Sequence, residues 1–535
     1  LFSSIYSVDE QHAVVVTNFG KIQRIDEAGM HFKIPFIENA RTVNVTTHGM
    51  GIGYTVDKNG QNIQDDSTGV MITKDFNFID VDFYVEYKVS DPVAYLYNST
   101  NPEEIFRNMI LANIRNTIVN YDVDTVMTTG KSQIQSEIKE KLIKELEENV
   151  DTLIVIPNDK ILEITSEKEA QKKFKDAKIC DFGESVIAPA FVNTHVHLEF
   201  SSNVSTLKYG DFIKWLGSIV DKGGELAKMD AKKAMSEAIN SLLKSGVCAI
   251  GEISSFGSDL EILAASPLKV VLFSEILGSN EQMSEQNLQN FLAKFEKTKS
   301  YKSQNFTPAI SLHSPYSVHP KLAKAALEIA KKDGLLVSTH FLESKAEKQW
   351  LEHGSGGFKK HLLRFSQDSK PMYDADGYFA MFREINTLFT HCVYVSDFAK
   401  FRPHHSVTHC AVSNRLLGKK ALNLKEIFKN NVSLNIGTDG LSSNISLNFW
   451  HELRAALFTH ASLDLNELAT RLFVAATHGG AKALRTNNGE IKAGRAADIA
   501  IYSDLECDDN ELILQLILHT NEAKKLYIGG KICKF

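Results

Sequence analysis

The run Ala190-Phe191-Val192-Asn193-Thr194-His195-Val196-His197 puts two imidazoles one residue apart at the end of an apolar, β-branched stretch, and Gly437-Thr438-Asp439-Gly440 puts a lone carboxylate at the end of another. Between them, Leu335-Leu336-Val337-Ser338-Thr339-His340-Phe341-Leu342-Glu343 and Leu388-Phe389-Thr390-His391 each carry a strand-like run into a histidine. Imidazole and carboxylate are donors that hold a divalent cation while leaving a coordination position open for water. One histidine after a strand is more often structural, but a His-x-His pair with two further strand-end histidines and an aspartate predicts a metal-dependent hydrolase. His195 and His197 are the first ligand pair, His340 the third ligand and Asp439 the fourth. Asp439 also stands within reach of the water's proton as a base. Glu343 follows His340 by three residues and, if strand gives way to helix there, faces the same cavity as a proton shuttle; the alternative is a solvated acid in a helix first turn. His391 is placed to hold the nucleophilic water or to stabilise developing negative charge.

Groups so far apart in sequence need a scaffold that gathers strand ends. From about residue 152 the sequence alternates strand, loop and helix, as a parallel α/β domain does. Strands are predicted before His195 and at 247–251, 269–273, 309–312, 335–339, 387–390, 406–408 and 432–436, eight in all. The fold class is an α/β (β/α)8 barrel, whose functional residues cluster at the C-terminal ends of its strands. The tail segments 494–502 and 525–531 are expected to pair with 152–156 and 161–164 in a small flanking β-sandwich. The domain boundaries drawn are 1–150 for a first module, 151–190 with 485–535 for the sandwich, and 190–485 for the barrel.

At 535 residues, two or more domains are required. A net charge of −7 offers no basic footprint, which excludes nucleic acid as a partner. The six cysteines are scattered without a Cys-x-x-Cys pair, which points to a reducing, cytoplasmic setting for the hydrolase. No apolar run approaches a membrane span, yet the chain begins with Leu1, which leaves room for an anchor upstream.

The first 150 residues differ in kind. His12 to Val16 reads as a strand, Asn18-Phe19-Gly20-Lys21 as a turn and Gly29 to Phe36 as a second extended segment. Val81, Phe83, Val85, Tyr87 and Val89 alternate with polar residues, as a half-buried strand does. Asn101-Pro102-Glu103-Glu104 starts a helix, and a second carries Ile134, Ile138, Leu142 and Leu146 on one stripe. This α+β module has no catalytic pattern and reads as a scaffold or interaction unit.

Gln11-His12-Ala13-Val14-Val15, Phe19-Gly20-Lys21 and Gly29-Met30-His31-Phe32-Lys33-Ile34-Pro35 resemble the stomatin/prohibitin (band 7, SPFH) family over about residues 5–150. That resemblance implies association with a membrane through an N-terminal anchor. The family's usual preceding membrane helix and following coiled coil are not visible. From about 152 to 535, His195-Val196-His197, His313-Ser314-Pro315-Tyr316-Ser317, His340-Phe341-Leu342-Glu343-Ser344, Thr390-His391-Cys392, Cys410-Ala411-Val412-Ser413-Asn414-Arg415 and Gly437-Thr438-Asp439-Gly440 resemble the amidohydrolase superfamily, nearest its aminofutalosine and S-adenosylhomocysteine deaminases. The resemblance implies attack of water on C6 of an adenine ring, protonation of the ring by Glu343, and loss of ammonia. It implies one divalent metal, zinc first with iron as the alternative, since His313 stands where two-metal relatives carry a bridging lysine. It places His313 against the nucleoside and Trp215 in the pocket wall, although a tryptophan in so helical a context otherwise packs a core. Arg415, or a residue of the 344–386 insertion, is the cation expected for a substrate carboxylate; the insertion itself is either a lid or a surface excursion. A homo-oligomer is a family expectation. The preferred substrate is aminodeoxyfutalosine of menaquinone biosynthesis, with S-adenosylhomocysteine, methylthioadenosine or another C–N or C–Cl compound as alternatives, and a membrane-associated scaffold with an inactive hydrolase half as the contrary case. The join near 149–153 has no Pro/Gly/Ser linker and reads as a fusion of two unrelated halves.

Overall fold

Continuous runs of Val, Ile, Leu and Phe bury both faces of a strand, and only a sheet covered on both sides accommodates them. In the computed structural model of the chain, these runs form one eight-stranded parallel sheet: β1 (Phe191–Val196), β2 (Val247–Ser254), β3 (Lys269–Ile276), β4 (Phe306–Leu312), β5 (Val337–Phe341), β6 (Thr387–His391), β7 (His405–His409) and β8 (Ser433–Ile436), in that spatial order. The structure describes residues 4–535 apart from 19–20, 36, 57–61, 98–100, 149–151, 176, 203–204, 206, 227–230, 365–368 and 509. The chain divides into two compact units, Leu1–Leu153 with Ser166–Ala170, and Ile154–Thr165 with Gln171–Phe535.

The seam between β1 and β8 closes the barrel mainly through side chains. Thr194 Oγ1 donates to the Ile436 carbonyl at 3.0 Å, Asn193 Nδ2 donates to Thr438 Oγ1 at 2.8 Å, and Asn193 Oδ1 accepts the Thr438 N–H at 3.1 Å. The Asp439 N–H adds a backbone bond to the His195 carbonyl at 2.9 Å. Helices pack outside. Pro320–Asp333 shows why they start and stop where they do: proline lies in its first turn, His319 caps it by accepting from the Lys321 N–H, and Gly334 ends it in the left-handed region at φ 62°. Phe191 anchors the core beneath the barrel, its ring centroid 4.8 Å from Trp450 and 5.1 Å from Phe449.

The small sheet differs from expectation. Ile499–Ser503 pairs with Ser185–Pro189 on one side and Lys525–Ile528 on the other, and Lys531–Cys533 follows. Thr152–Val155 pairs instead with Glu163–Ser166. Among the described residues Lys160, between the two strands of that pair, forms an isolated bridge with Ala496, and Ile161 joins Ala497, Ile499 and Ile501 in a small core. A period-two pattern identifies a strand but not its neighbour. The described part of the 344–386 insertion packs inward. Its helices Lys345–His353, Gly357–Leu362 and Ala375–Ala380 bring Trp350, Phe358 and Tyr378 into the main core.

In the first unit His12–Asn18 is the central strand between Lys21–Asp26 and Glu38–Asn44, and Phe83–Lys88 pairs with Thr47–Ile52. Helix Pro102–Ile118 begins at its proline as expected. Its Ile110, Ile114 and Ile118 meet Ile134, Ile138 and Leu142 of helix Lys131–Glu148 in a separate core. The turn at Phe19-Gly20, residue Phe36, the Leu146 side chain and residues 149–151 of the join lie outside the described residues. Among the described residues no helix is long and apolar enough to cross a membrane. Among the described residues no cysteine forms a disulfide.

Candidate metal and catalytic site

The C-terminal ends of β1, β5, β6 and β8 bring His195, His197, His340, His391 and Asp439 into one buried cluster. His197 Nε2 lies 3.2 Å from His195 Nε2 and 3.3 Å from His340 Nε2, and Asp439 Oδ1 is 3.5 Å from His197 Nε2 and 3.8 Å from His195 Nε2. Among the described residues three donor groups with mutually close ligand atoms result, His195 with His197 and His340, His195 with His391 and Asp439, and Glu275 with His313 and His340. Close approach needs small residues: a Cβ on Gly440 would sit 2.9 Å from the His197 Cβ. It also needs unusual backbone, since His391 at φ 73° and Asp439 at φ 59° are left-handed without being glycine, a strain that functional sites hold.

Outer partners orient the rings. His340 Nδ1 donates to the His313 carbonyl at 2.7 Å, which leaves its Nε2 lone pair facing the cluster. His195 Nδ1 lies 3.3 Å from Thr390 Oγ1. Asp439 accepts from Ser413 Oγ at 2.8 Å and from the Gly440 N–H at 2.8 Å. Burial pushes the His195 ring well below the usual imidazole range and His340 down to about 3, so both are neutral, as metal-ligating imidazoles must be. Burial raises Asp439 and any positive charge on the surrounding His197, His195, His391 and His340 rings lowers it, with the balance below its ordinary value. Ring nitrogens converging with a carboxylate in a buried space fit a divalent cation of zinc type, and four such donors with one open position are what it takes.

Glu343 and His391 line the same space, with His391 Nε2 3.6 Å from Glu343 Oε1 and 3.9 Å from Asp439 Oδ2. The chain does leave the strand for a helix there: Ser344 caps Lys345–His353 by accepting the Glu347 N–H at 3.1 Å. Glu347 reaches back to accept the Leu342 and Glu343 N–H groups at 3.0 and 2.8 Å, fixing the turn that carries Glu343. Burial, with the neighbouring Asp439 and Glu347 charges, holds the Glu343 carboxyl well above the ordinary carboxylate range. Glu343 is thus pushed toward its acid form and Asp439 toward its carboxylate.

Of the residues assigned to substrate, His313 lies beside the cluster, 5.0 Å from His340 between ring centroids, its Nδ1 held by Ser317 Oγ at 2.6 Å. Trp215 is half-buried and donates its indole N–H to the Ser442 carbonyl in the loop after β8 at 2.8 Å. Arg415 is exposed on the π-helical turn Asn414–Gly418 and borders a different space, a cavity of about 140 Å³ shared with His409, Asn414, Lys419 and Lys420. Sequence reasoning assigned no role to Thr390, Ser413, Asn414 or Glu347. Ser413-Asn414 stood in a quoted motif, but nothing in the sequence said that the Asn414 amide reaches the His391 ring, 2.9 Å from Oδ1 to Nδ1.

A barrel with this cluster at the mouth of its strands defines a metal-dependent hydrolase. The Amidohydrolase family model matches residues 186–533, and the chain belongs to that family. The SPFH domain / Band 7 family model matches residues 6–179. The aminodeoxyfutalosine deaminase of Nitratiruptor sp. is 41% identical over 379 residues, covering 70% of this chain and 93% of the relative. A protein of Helicobacter pylori described as an adenosine deaminase is 39% identical over 386 residues, covering 70% and 93%. The crystal structure of the H. pylori aminofutalosine deaminase with methylthio-coformycin is similar at TM-score 0.69 and 38% identity, covering 72% of this chain and 95% of that one. The chain is thus a metal-dependent hydrolase of carbon–nitrogen bonds in the deaminase branch of its family, preceded by an SPFH domain.

Proposed function

We propose that this protein deaminates the 6-aminopurine ring of aminodeoxyfutalosine, placing it in the futalosine route to menaquinone. The observation that carries this reading is the gathering of His195, His197, His340, His391, Asp439 and Glu343 around one buried space, with His391 Nε2 3.6 Å from Glu343 Oε1 and 3.9 Å from Asp439 Oδ2. The similarity to the Nitratiruptor deaminase over most of that protein's length supports the substrate. His195, His197, His340 and Asp439 would hold zinc, which when bound acidifies water and makes it a nucleophile at neutral pH. Asp439 accepts the attacking water's proton, and His391 orients that water toward C6. Glu343 protonates the adjacent ring nitrogen, the C6–NH2 bond breaks after a second proton reaches the amine, and ammonia leaves a hypoxanthine ring. His313 and Trp215 are assigned to the nucleoside. Arg415, exposed on the turn after β7, is kept as the candidate cation for a substrate carboxylate. The SPFH unit, which exposes Met30 and Phe32 on one strand, is assigned to membrane association and self-assembly.

The test is ammonia release, with the adenine-to-hypoxanthine absorbance change, on metal-analysed full-length protein. Aminodeoxyfutalosine is compared with S-adenosylhomocysteine, methylthioadenosine and adenosine. Preference for aminodeoxyfutalosine supports the proposal. Preference for adenosine favours the second reading, suggested by the description of the H. pylori relative. No turnover with a full complement of zinc overturns both.

A further inference from the structure

His391 is the inner end of a line of polar side chains leading away from the site. Its Nδ1 lies 2.9 Å from Asn414 Oδ1, Asn414 Nδ2 lies 3.3 Å from His409 Nδ1, and His409 Nε2 lies 3.0 Å from His460 Nε2. All four side chains are buried. They come from four places in the chain: the end of β6, the turn after β7, β7 itself, and the residue that ends helix Phe449–Thr459.

A hydrogen bond between two neutral imidazoles needs an N–H on one ring and a lone pair on the other, and a carboxamide has one donating and one accepting end. The line therefore has a direction, and choosing the state of one member chooses the rest. With Asn414 Oδ1 toward His391, the His391 Nδ1 carries the proton, Asn414 donates to His409 Nδ1, and His409 Nε2–H donates to His460. The rings farther out are suited to this, because burial pushes His409 well below the usual imidazole range and His460 down to about 4, so both stay neutral.

We propose that His409 and His460 are positioning residues that set the tautomer of His391, so that its Nε2 faces the reacting centre as a lone pair. Consistent with this, His391 Nε2 is buried with no hydrogen-bond partner among the described residues. The assignment decides between the two roles open to His391: it accepts a hydrogen bond from the attacking water and does not donate to a developing oxyanion. Only the kinetic consequence rests on the deaminase reading, since the tautomer exists without substrate.

The experiment uses full-length, zinc-loaded protein labelled with 15N at histidine, and long-range 1H–15N correlation spectra that distinguish the protonated from the bare ring nitrogen. Expected in the wild type are His391 protonated at Nδ1 and His409 at Nε2. His460→Leu removes the terminal acceptor, and His391 is expected to distribute over both tautomers. In that variant kcat on the adenine nucleoside falls about tenfold or more with KM and bound zinc little changed. His460→Gln, whose side-chain carbonyl accepts, is expected to restore both. Should His460→Leu fail to fold, Asn414→Leu cuts the same line next to His391 and is expected to give the same two-tautomer signature. A wild-type His391 protonated at Nε2, or a His391 signal unchanged by these substitutions, overturns the proposal. Loss of turnover in a wild type with the expected tautomers would count against the assigned substrate alone.

Discussion

Glu343 and Asp439 are two carboxyl groups in one buried space whose surroundings drive their proton affinities apart, the arrangement that lets one fold run acid and base chemistry together. Their replacements are expected to fail differently. Glu343→Gln keeps the shape and the zinc but cannot give up a proton, so kcat should fall by roughly 10²–10⁴ with metal content unchanged. Asp439→Asn removes the charge that balances the cation and should lose metal and activity together, as metal analysis beside turnover would show. That His195, His197, His340, His391 and Asp439 would gather was legible in the sequence, because strand ends on a barrel meet at one mouth and the donor types stand there. What orients them was not. Thr390, Ser413, Asn414 and Glu347 are common polar residues whose partners lie on other elements. Arg415 shows the converse: it shares a motif with Asn414, yet its side chain borders another cavity.

Helix Phe449–Thr459 is an outer element that nevertheless reaches the site's loops. Its Glu452 is 1% exposed, accepts the Asn444 amide at 2.9 Å and the Val412 N–H at 3.2 Å, and so ties the loop after β8 to the turn after β7. Burial raises its carboxyl from 4.5 to about 8 against the pull of those hydrogen bonds. The native state thus holds a proton that the unfolded chain has released. Stability from this group is full below about pH 4.5 and is lost as pH rises through about 8, on the order of a few kcal/mol in all. Glu452→Gln should flatten that part of the dependence, read as denaturation midpoints between pH 5 and 8. Packing makes a second prediction at this scale. Phe358 is fully buried with its ring 4.4 Å from Tyr316, so Phe358→Ala should cost about 3–5 kcal/mol in urea unfolding, whereas a lid would tolerate it. The barrel strands were legible as short runs rich in β-branched and apolar residues, each followed by a loop and a helix. The partner of each tail strand was not, since alternation says nothing about which edge is free.

The molecule has two units with separate cores, one around Ile110, Ile114 and Ile138 and one in and around the barrel. Calorimetry should therefore resolve two transitions. Chelation should lower only the barrel's, by about 2.7 kcal/mol where zinc had been present at a hundredfold over its Kd. Ile114→Ala should lower only the other, by about 2–5 kcal/mol. The presence of two halves was legible as a change of period near residue 152; their cores were predicted only as stripes. The seam between β1 and β8 carries a consequence for biosynthesis. Asn193 and Thr438 are 245 residues apart, and the same stretch of chain separates the first two histidines from their aspartate. On a ribosome adding roughly 5–20 residues per second, His195 and His197 emerge some tens of seconds before Asp439 exists. The full donor set is a property of the finished chain, and the cell meets this protein as a histidine pair long before it meets a metal site.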